Sequence, residues 1–202
     1  SNLVRQLGVE TGPLTPQLAV PAAAVASAAK LLAERGWTSD QTLVGIAPGA
    51  AFGHAKRWLP QRFAELADAL RSEHGAACVI VGRAEDRDAA GDIQGIDVIG
   101  RTDLLMLMGV LSHCRALVAN DSGALHLAAA LGVPVAGIYG PTDERYSAPL
   151  TSVDGANDRV AAISEPVFCR PCFLADCPID HRCMKRISTE RVHDAVRRFL
   201  QE

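Results

Sequence analysis

Aromatic residues are scarce in this chain: two Trp, two Tyr and five Phe make up 4% of 202 residues. That scarcity argues against a β-sandwich, and 49% hydrophobic content points to an Ala/Val/Leu-rich α/β interior. Long apolar runs are also missing. No segment reaches the ~20 uninterrupted apolar residues of a membrane helix, and the nearest, 124–139, is broken by His126, Gly132 and Pro134. A surplus of positive charge is absent too. The formal charge is −3 with Lys and Arg spread along the chain, so no nucleic-acid partner is expected. No secretory leader is legible, which leads to an expectation of a cytoplasmic chain whose six cysteines are reduced. G-x-G-x-x-G is lacking, which counts against a nicotinamide or flavin enzyme, and Gly-Lys-Ser/Thr is lacking, which excludes a P-loop.

What is present is organised around residues 115–143, RALVANDSGALHLAAALGVPVAGIYGPTD. Residues 116–119 form a short apolar run without helical period that stops at Asn120-Asp121-Ser122-Gly123, a cluster of turn and cap formers. The pattern then turns Ala- and Leu-rich and closes on Gly132 before Pro134, as a helix with a C-terminal glycine does. A second buried strand spans 134–139, and Gly140-Pro141-Thr142-Asp143 makes a second turn. In a parallel α/β sheet both turns lie at the strands' carboxyl ends, where such folds bind ligands. The amides near Gly123 and Ala124, at the positive end of a helix, suit a phosphate. The Asp121 carboxylate suits sugar hydroxyls better than a phosphate, Ser122 is placed to cap the helix, and His126 follows on the same face. The alternative is an N-cap and a half-buried histidine with no ligand.

Other segments read as further strand and helix pairs. Residues 1–20, with Gly12-Pro13 and Pro16 as breakers, read as a linker or the end of a preceding domain, and Ser1-Asn2 as a tag remnant. Residues 21–202 read as one domain. Pro21 is expected at the first helical position of an Ala-rich helix ending at Gly36. A strand over 42–47 runs into a loop of small residues, Gly49 to Gly53, followed by Lys56 and Arg57. The small residues let backbone approach a ligand and Lys56 supplies positive charge; a solvated Lys-Arg pair is the alternative. An amphipathic helix over 60–75 and a strand over 78–81 lead to Glu85, suited to a ribose hydroxyl pair or, equally on spacing, to a helix dipole. A weaker strand over 96–99 precedes a helix capped by Thr102 or Asp103. A strand over 159–163 and a helix from Ser188 close the chain. Between them Cys169, Cys172, Cys177 and Cys183 form a pattern that a tetrahedral zinc shell can use, although paired CxxC knuckles are more usual; reduced, packed cysteines are the other reading. Five or six strands alternating with helices describe an open, doubly wound parallel sheet of Rossmann-like type.

ANDSGALHLAAALGVPVAGIYGPTD resembles the signature of family 9 glycosyltransferases, the heptosyltransferases of bacterial lipopolysaccharide core synthesis. APGAAFGHAKRWLPQRFAELADAL, VGRAEDRD and CRPCFLADCPIDHRCMKRIS follow the family's order, so the resemblance covers about 42–200. It implies the C-terminal, donor-binding domain of a GT-B enzyme. It implies ADP-heptose as donor, a lipopolysaccharide inner-core acceptor, inversion at the anomeric carbon, and no cofactor or metal. By resemblance Lys56 meets the donor's phosphates and heptose, Ala50 and Ala51 line the phosphates where many relatives carry Ser or Thr, Glu85 takes the ribose, and Thr102 lies near the adenine. Asp121, Ser122, Gly123 and His126 complete the donor set. The catalytic base is expected from an N-terminal domain facing this one, and association with the membrane's inner face is expected to be peripheral at most.

Overall fold

The computed structural model describes residues 6–8, 15–150 and 159–201. The expectations for Ser1-Asn2 and for the breaker Gly12-Pro13 fall outside them. Six strands form one sheet in the order β3-β2-β1-β4-β5-β6, all neighbours parallel: β1 Leu43–Ala47, β2 Ala77–Ile80, β3 Ile96–Asp97, β4 Ala116–Asn120, β5 Val135–Tyr139 and β6 Val160–Ser164. The expected strand over 96–99 is shortened to two residues. Val98 and Gly100 still bond to the neighbouring strand end, but Asp97 turns its carboxylate onto the Ile99 amide at 2.9 Å.

Helices cover both faces, and the period-2 alternation of the strands assigns the two cores. Val44 and Ile46 of β1 face α2 (Pro60–His74) and α8 (Thr189–Gln201), with Phe63, Leu66, Leu70, Val192, Val196 and Phe199. Leu43 and Ala47 face α1 (Ala22–Ala33), α4 (Leu104–Ser112) and α5 (Gly123–Ala130), with Leu32, Val110, Leu111 and Leu125. The short α3 (Arg87–Ala90), α6 (Glu144–Ser147) and α7 (Arg182–Lys185) sit in connections. Pro21 is the N-cap of α1, extended at ψ 136°, and not its first helical residue. No helix among the described residues is long and apolar enough to cross a membrane.

Chain order reverses between β1 and β4, which pair directly from Val44↔Ala116 to Ala47↔Ala119. Their loops diverge to opposite sides and leave a crevice between their carboxyl ends.

Candidate functional site

A cleft of about 390 Å³ opens at that crevice. The β1 loop contributes Gly49, Ala50 and Ala51; the loop after β2 contributes Gly82, Arg83 and Asp86; Thr102 with the start of α4, and Ser122 with the start of α5, form the rest. Two helix N-termini therefore point into one space, and their unpaired amides favour negative charge. They differ in one respect. At α4 Asp103 caps, accepting from the Met106 amide at 2.8 Å, which leaves Thr102 to wall the cleft. At α5 Ser122 holds the N-cap position but caps nothing, and its Oγ is buried without a partner. The expected Ser122 cap is thus absent, although its backbone is extended as an N-cap residue's is.

Across the switch point the two loops are tied together. Asn120, at the end of β4, accepts from the Trp58 amide at 3.0 Å and donates to the Pro48 carbonyl at 2.7 Å. Trp58 itself is fully buried, edge-on to Phe63, and its Nε1 donates to the Ile187 carbonyl. Two residues earlier Lys56 leaves this anchor, and its Nζ reaches Asp121 Oδ2 at 2.8 Å. Thr142, from the β5 turn, donates to the same oxygen at 2.8 Å. Both bonds land on Oδ2 of a carboxylate only 6% exposed. Lys56 and Asp121 thus meet, although neither walls the cleft; Asp121 is held one residue from Ser122, which does.

Glu85 is exposed on a 3-10 turn, whereas the next residue, Asp86, is 5% exposed and faces the cleft. The turn reverses the two because Asp86 accepts from the Arg83 amide at 3.0 Å and from its guanidinium, closing a capping box, and pairs with Arg57 at 3.6 Å. The buried acid is therefore one position beyond the one singled out from spacing. Asp86 also explains Gly49, where a Cβ would stand 2.2 Å from the Asp86 Cγ.

His126 is exposed, not half-buried, and lies in an adjoining groove with Leu127, Pro149 and Leu150. That groove shares Gly123, Ala124, Leu104 and Leu107 with the cleft, so the two are continuous. Asp86, Arg83, Asn120 and Thr142 were not singled out from sequence. Asn120 had a visible signal, being the one polar residue ending an apolar strand, and Thr142 sat in a turn already identified as polar.

The cysteine stretch strides over the β1 loop. The Ala55 amide donates to the Ala175 carbonyl at 2.9 Å, His181 Nε2 bonds the Ala55 carbonyl at 2.8 Å, and His54 meets Asp176 at 3.2 Å. Gly53 makes room for this contact: its φ is 72°, and a Cβ would lie 2.0 Å from the Ala175 carbonyl oxygen. Among the described residues no three of the cysteines come within mutual ligand distance of a metal. Cys169, Cys172 and Cys177 nevertheless stand near enough to Cys183 to act on its thiol. Burial pushes the Cys183 thiol up, with its cysteine neighbours adding to that shift, and Cys78 and Cys114 are pushed by burial to about 12. These buried thiols stay protonated and act as core.

The profile of glycosyltransferase family 9 (heptosyltransferase) matches residues 2–182. Lipooligosaccharide heptosyltransferase 2 of Haemophilus ducreyi is 39% identical over 126 residues, 56% of this chain and 36% of that protein. Lipopolysaccharide heptosyltransferase 2 of Escherichia coli is 36% identical over 124 residues, 56% of this chain and 35% of its own. The solved E. coli ADP-heptose lps heptosyltransferase II superposes with a TM-score of 0.78 at 27% identity, over 96% of this chain and 56% of that one. The chain thus spans roughly a third to a half of these relatives' length. With a matching family profile across most of its residues, the chain belongs to glycosyltransferase family 9, the heptosyltransferases.

Proposed function

We propose that this chain is the donor-binding half, the C-terminal domain, of an inverting GT-B heptosyltransferase. Residues 21–202 form that domain, it takes ADP-heptose, and the acceptor is a heptose of the lipopolysaccharide inner core. The observation that carries this reading is the cleft at the β1/β4 switch point, where two helix N-termini converge beside the Lys56–Asp121 pair. The Gly123 and Ala124 amides and the small wall of Gly49, Ala50 and Ala51 admit a diphosphate against backbone, with Lys56 adding positive charge. The alanines contribute no hydroxyl, so the amides do that work.

The unpartnered Ser122 hydroxyl on the cleft wall is a ready partner for ribose or heptose hydroxyls, and Asp121, held one residue away, is the group on which the sugar discrimination of this reading rests. As the anomeric bond breaks through an oxocarbenium-like state, the leaving diphosphate gains charge where the helix amides already point, next to the Lys56–Asp121 pair. The acceptor hydroxyl loses its proton to a base on a facing domain; no residue of this cleft takes that role, and no metal or cofactor is required. The enzyme works in the cytoplasm at the inner face of the membrane, with peripheral association at most.

Calorimetric titration with ADP-heptose and with ADP, repeated on Asp121→Ala, tests the reading. ADP-heptose is expected to bind more tightly, with the difference lost in the variant. Equal affinity for both ligands in the native chain would make this a plain nucleotide module and refute the proposal.

A further inference from the structure

Far from the cleft, the end of α2 meets α8. His74 is the last residue of α2 and β2 starts at Ala77, so this point lies at the opposite edge of the sheet from the strands' carboxyl ends. His193, 9% exposed, stacks on His74 with ring centroids 5.3 Å apart and planes tilted by 36°. The Nε2 atoms of both rings are buried without a hydrogen-bond partner. Glu73 brings Oε2 to 3.7 Å from His193 Nε2, too long for a hydrogen bond. A ring nitrogen from each histidine and a Glu73 carboxylate oxygen all lie within 4.8 Å of one another, and no other such trio occurs among the described residues.

Two orphaned ring nitrogens side by side are costly, because a buried polar atom without a partner loses its hydration and regains nothing. A proton on one ring answers one orphan only. A divalent cation answers all three groups at once.

We propose that Glu73, His74 and His193 form a zinc-type metal site that clamps α8 onto α2. Two imidazoles, one carboxylate and a remaining water position are a donor set that zinc accepts, at about 2.0–2.2 Å per bond. Tetrahedral bonds of that length bring ligand atoms to about 3.3 Å from each other. The required closure is therefore short, and Glu73, whose side chain is 58% exposed, is free to supply it. The role is structural, since the site stands on the far side of the sheet from the donor cleft and is independent of what that cleft binds.

The test titrates Zn²⁺ into metal-stripped chain by calorimetry, with Co²⁺ as the spectroscopic probe. One ion per chain is expected, giving a Co²⁺ ligand-field spectrum without a thiolate charge-transfer band, and raising the melting temperature. Glu73→Gln, at an exposed side chain, is expected to weaken binding at least about tenfold, the lower bound for losing even a residue that only supports a ligand. His74→Asn is expected to abolish binding and the thermal shift. Because the chain carries cysteines over 169–183, Cys169→Ser/Cys172→Ser serves as the comparison and should bind Zn²⁺ as the native chain does. Absence of uptake by the native chain overturns the proposal. So does binding that survives in both Glu73→Gln and His74→Asn, or that disappears in the cysteine variant.

Discussion

Replacing Lys56 with Met is expected to destabilise the chain by about 3 kcal/mol. The magnitude follows from where the pair stands. Lys56 Nζ lies 2.8 Å from Asp121 Oδ2, with side chains 17% and 6% exposed. Removing one partner of such a buried pair costs about 3–5 kcal/mol, because the other charge stays in a poorly solvated site. Thr142 still donates to Asp121 in the variant and Lys56 has some water contact, so the low end of that range applies. By contrast Arg182–Asp180, exposed at 29% and 51%, belongs to the class worth about 0–1 kcal/mol.

Asp121→Asn in the same background removes the stranded charge, so the double variant should regain most of the loss, with a coupling near 2 kcal/mol. Urea unfolding measures it: with a slope near 2 kcal/mol/M, Lys56→Met moves the midpoint down by about 1.5 M. A loss below about 0.5 kcal/mol, or additive single variants, would mean that the pair is a surface contact. The switch point would then not be held shut by charge.

Two further perturbations read other parts of the site. Gly49→Ala puts a methyl 2.2 Å from the Asp86 Cγ and must push that carboxylate off Arg83 and Arg57; a destabilisation of about 1–3 kcal/mol and loss of nucleotide binding are expected, measured by melting and by ADP titration. Gly123→Ala, with open space around its Cβ, should by comparison leave stability intact. Glu144 gives a pH signature: burial pushes its carboxyl up, but hydrogen bonds from Arg170 and Ser164 outweigh this and hold it below its ordinary value of 4.5. A lowered folded-state value means that its contribution is full above pH 4.5 and is lost as pH falls from there through the folded value. Glu144→Gln should flatten that part of a stability-versus-pH profile from urea unfolding, and an unchanged profile would show that the Arg170 contact carries no linkage.

The topology was legible because the strands are short apolar runs ended by Gly, Asp or Pro, and α2 and α8 carry a 3.6-residue stripe. Phe63, Leu66 and Leu70 on α2 and Val192, Val196 and Phe199 on α8 are buried as their spacing requires. Side-chain direction within a turn was not legible. Glu85 and Asp86 are both acids after a strand, and only the capping box made by Arg83 turns Asp86 inward and leaves Glu85 in water. Ser122 looked like a cap by residue type, yet its hydroxyl makes no bond to the helix amides. Local propensity sets where a helix begins; tertiary contact sets which polar atoms that beginning uses. The two edges of the family motifs fared differently too. Lys56 and Asp121, 65 positions apart, meet because β1 and β4 are neighbours, a consequence of strand order that no local pattern encodes.

Strand order also brings together two motifs that look unrelated along the chain, the loop of 49–58 and the cysteine stretch of 169–183. The stretch grips the loop through Ala55 on both sides, with the amide bonded to Ala175 and the carbonyl to His181. On its other flank, Arg170 donates to the Gly140 and Thr142 carbonyls and pairs with Glu144. The same segment thus spans the β1 loop, which carries Lys56, and the β5 turn, which carries Thr142, the two residues that donate to Asp121 Oδ2. A brace across both sides of that carboxylate fixes its surroundings. It also accounts for Gly53, since only a residue without a side chain lets the brace approach within contact of the loop backbone. The cysteine motif is therefore coupled to the donor cleft mechanically, through the positions of Lys56 and Thr142, even though none of its thiols reaches the cleft wall.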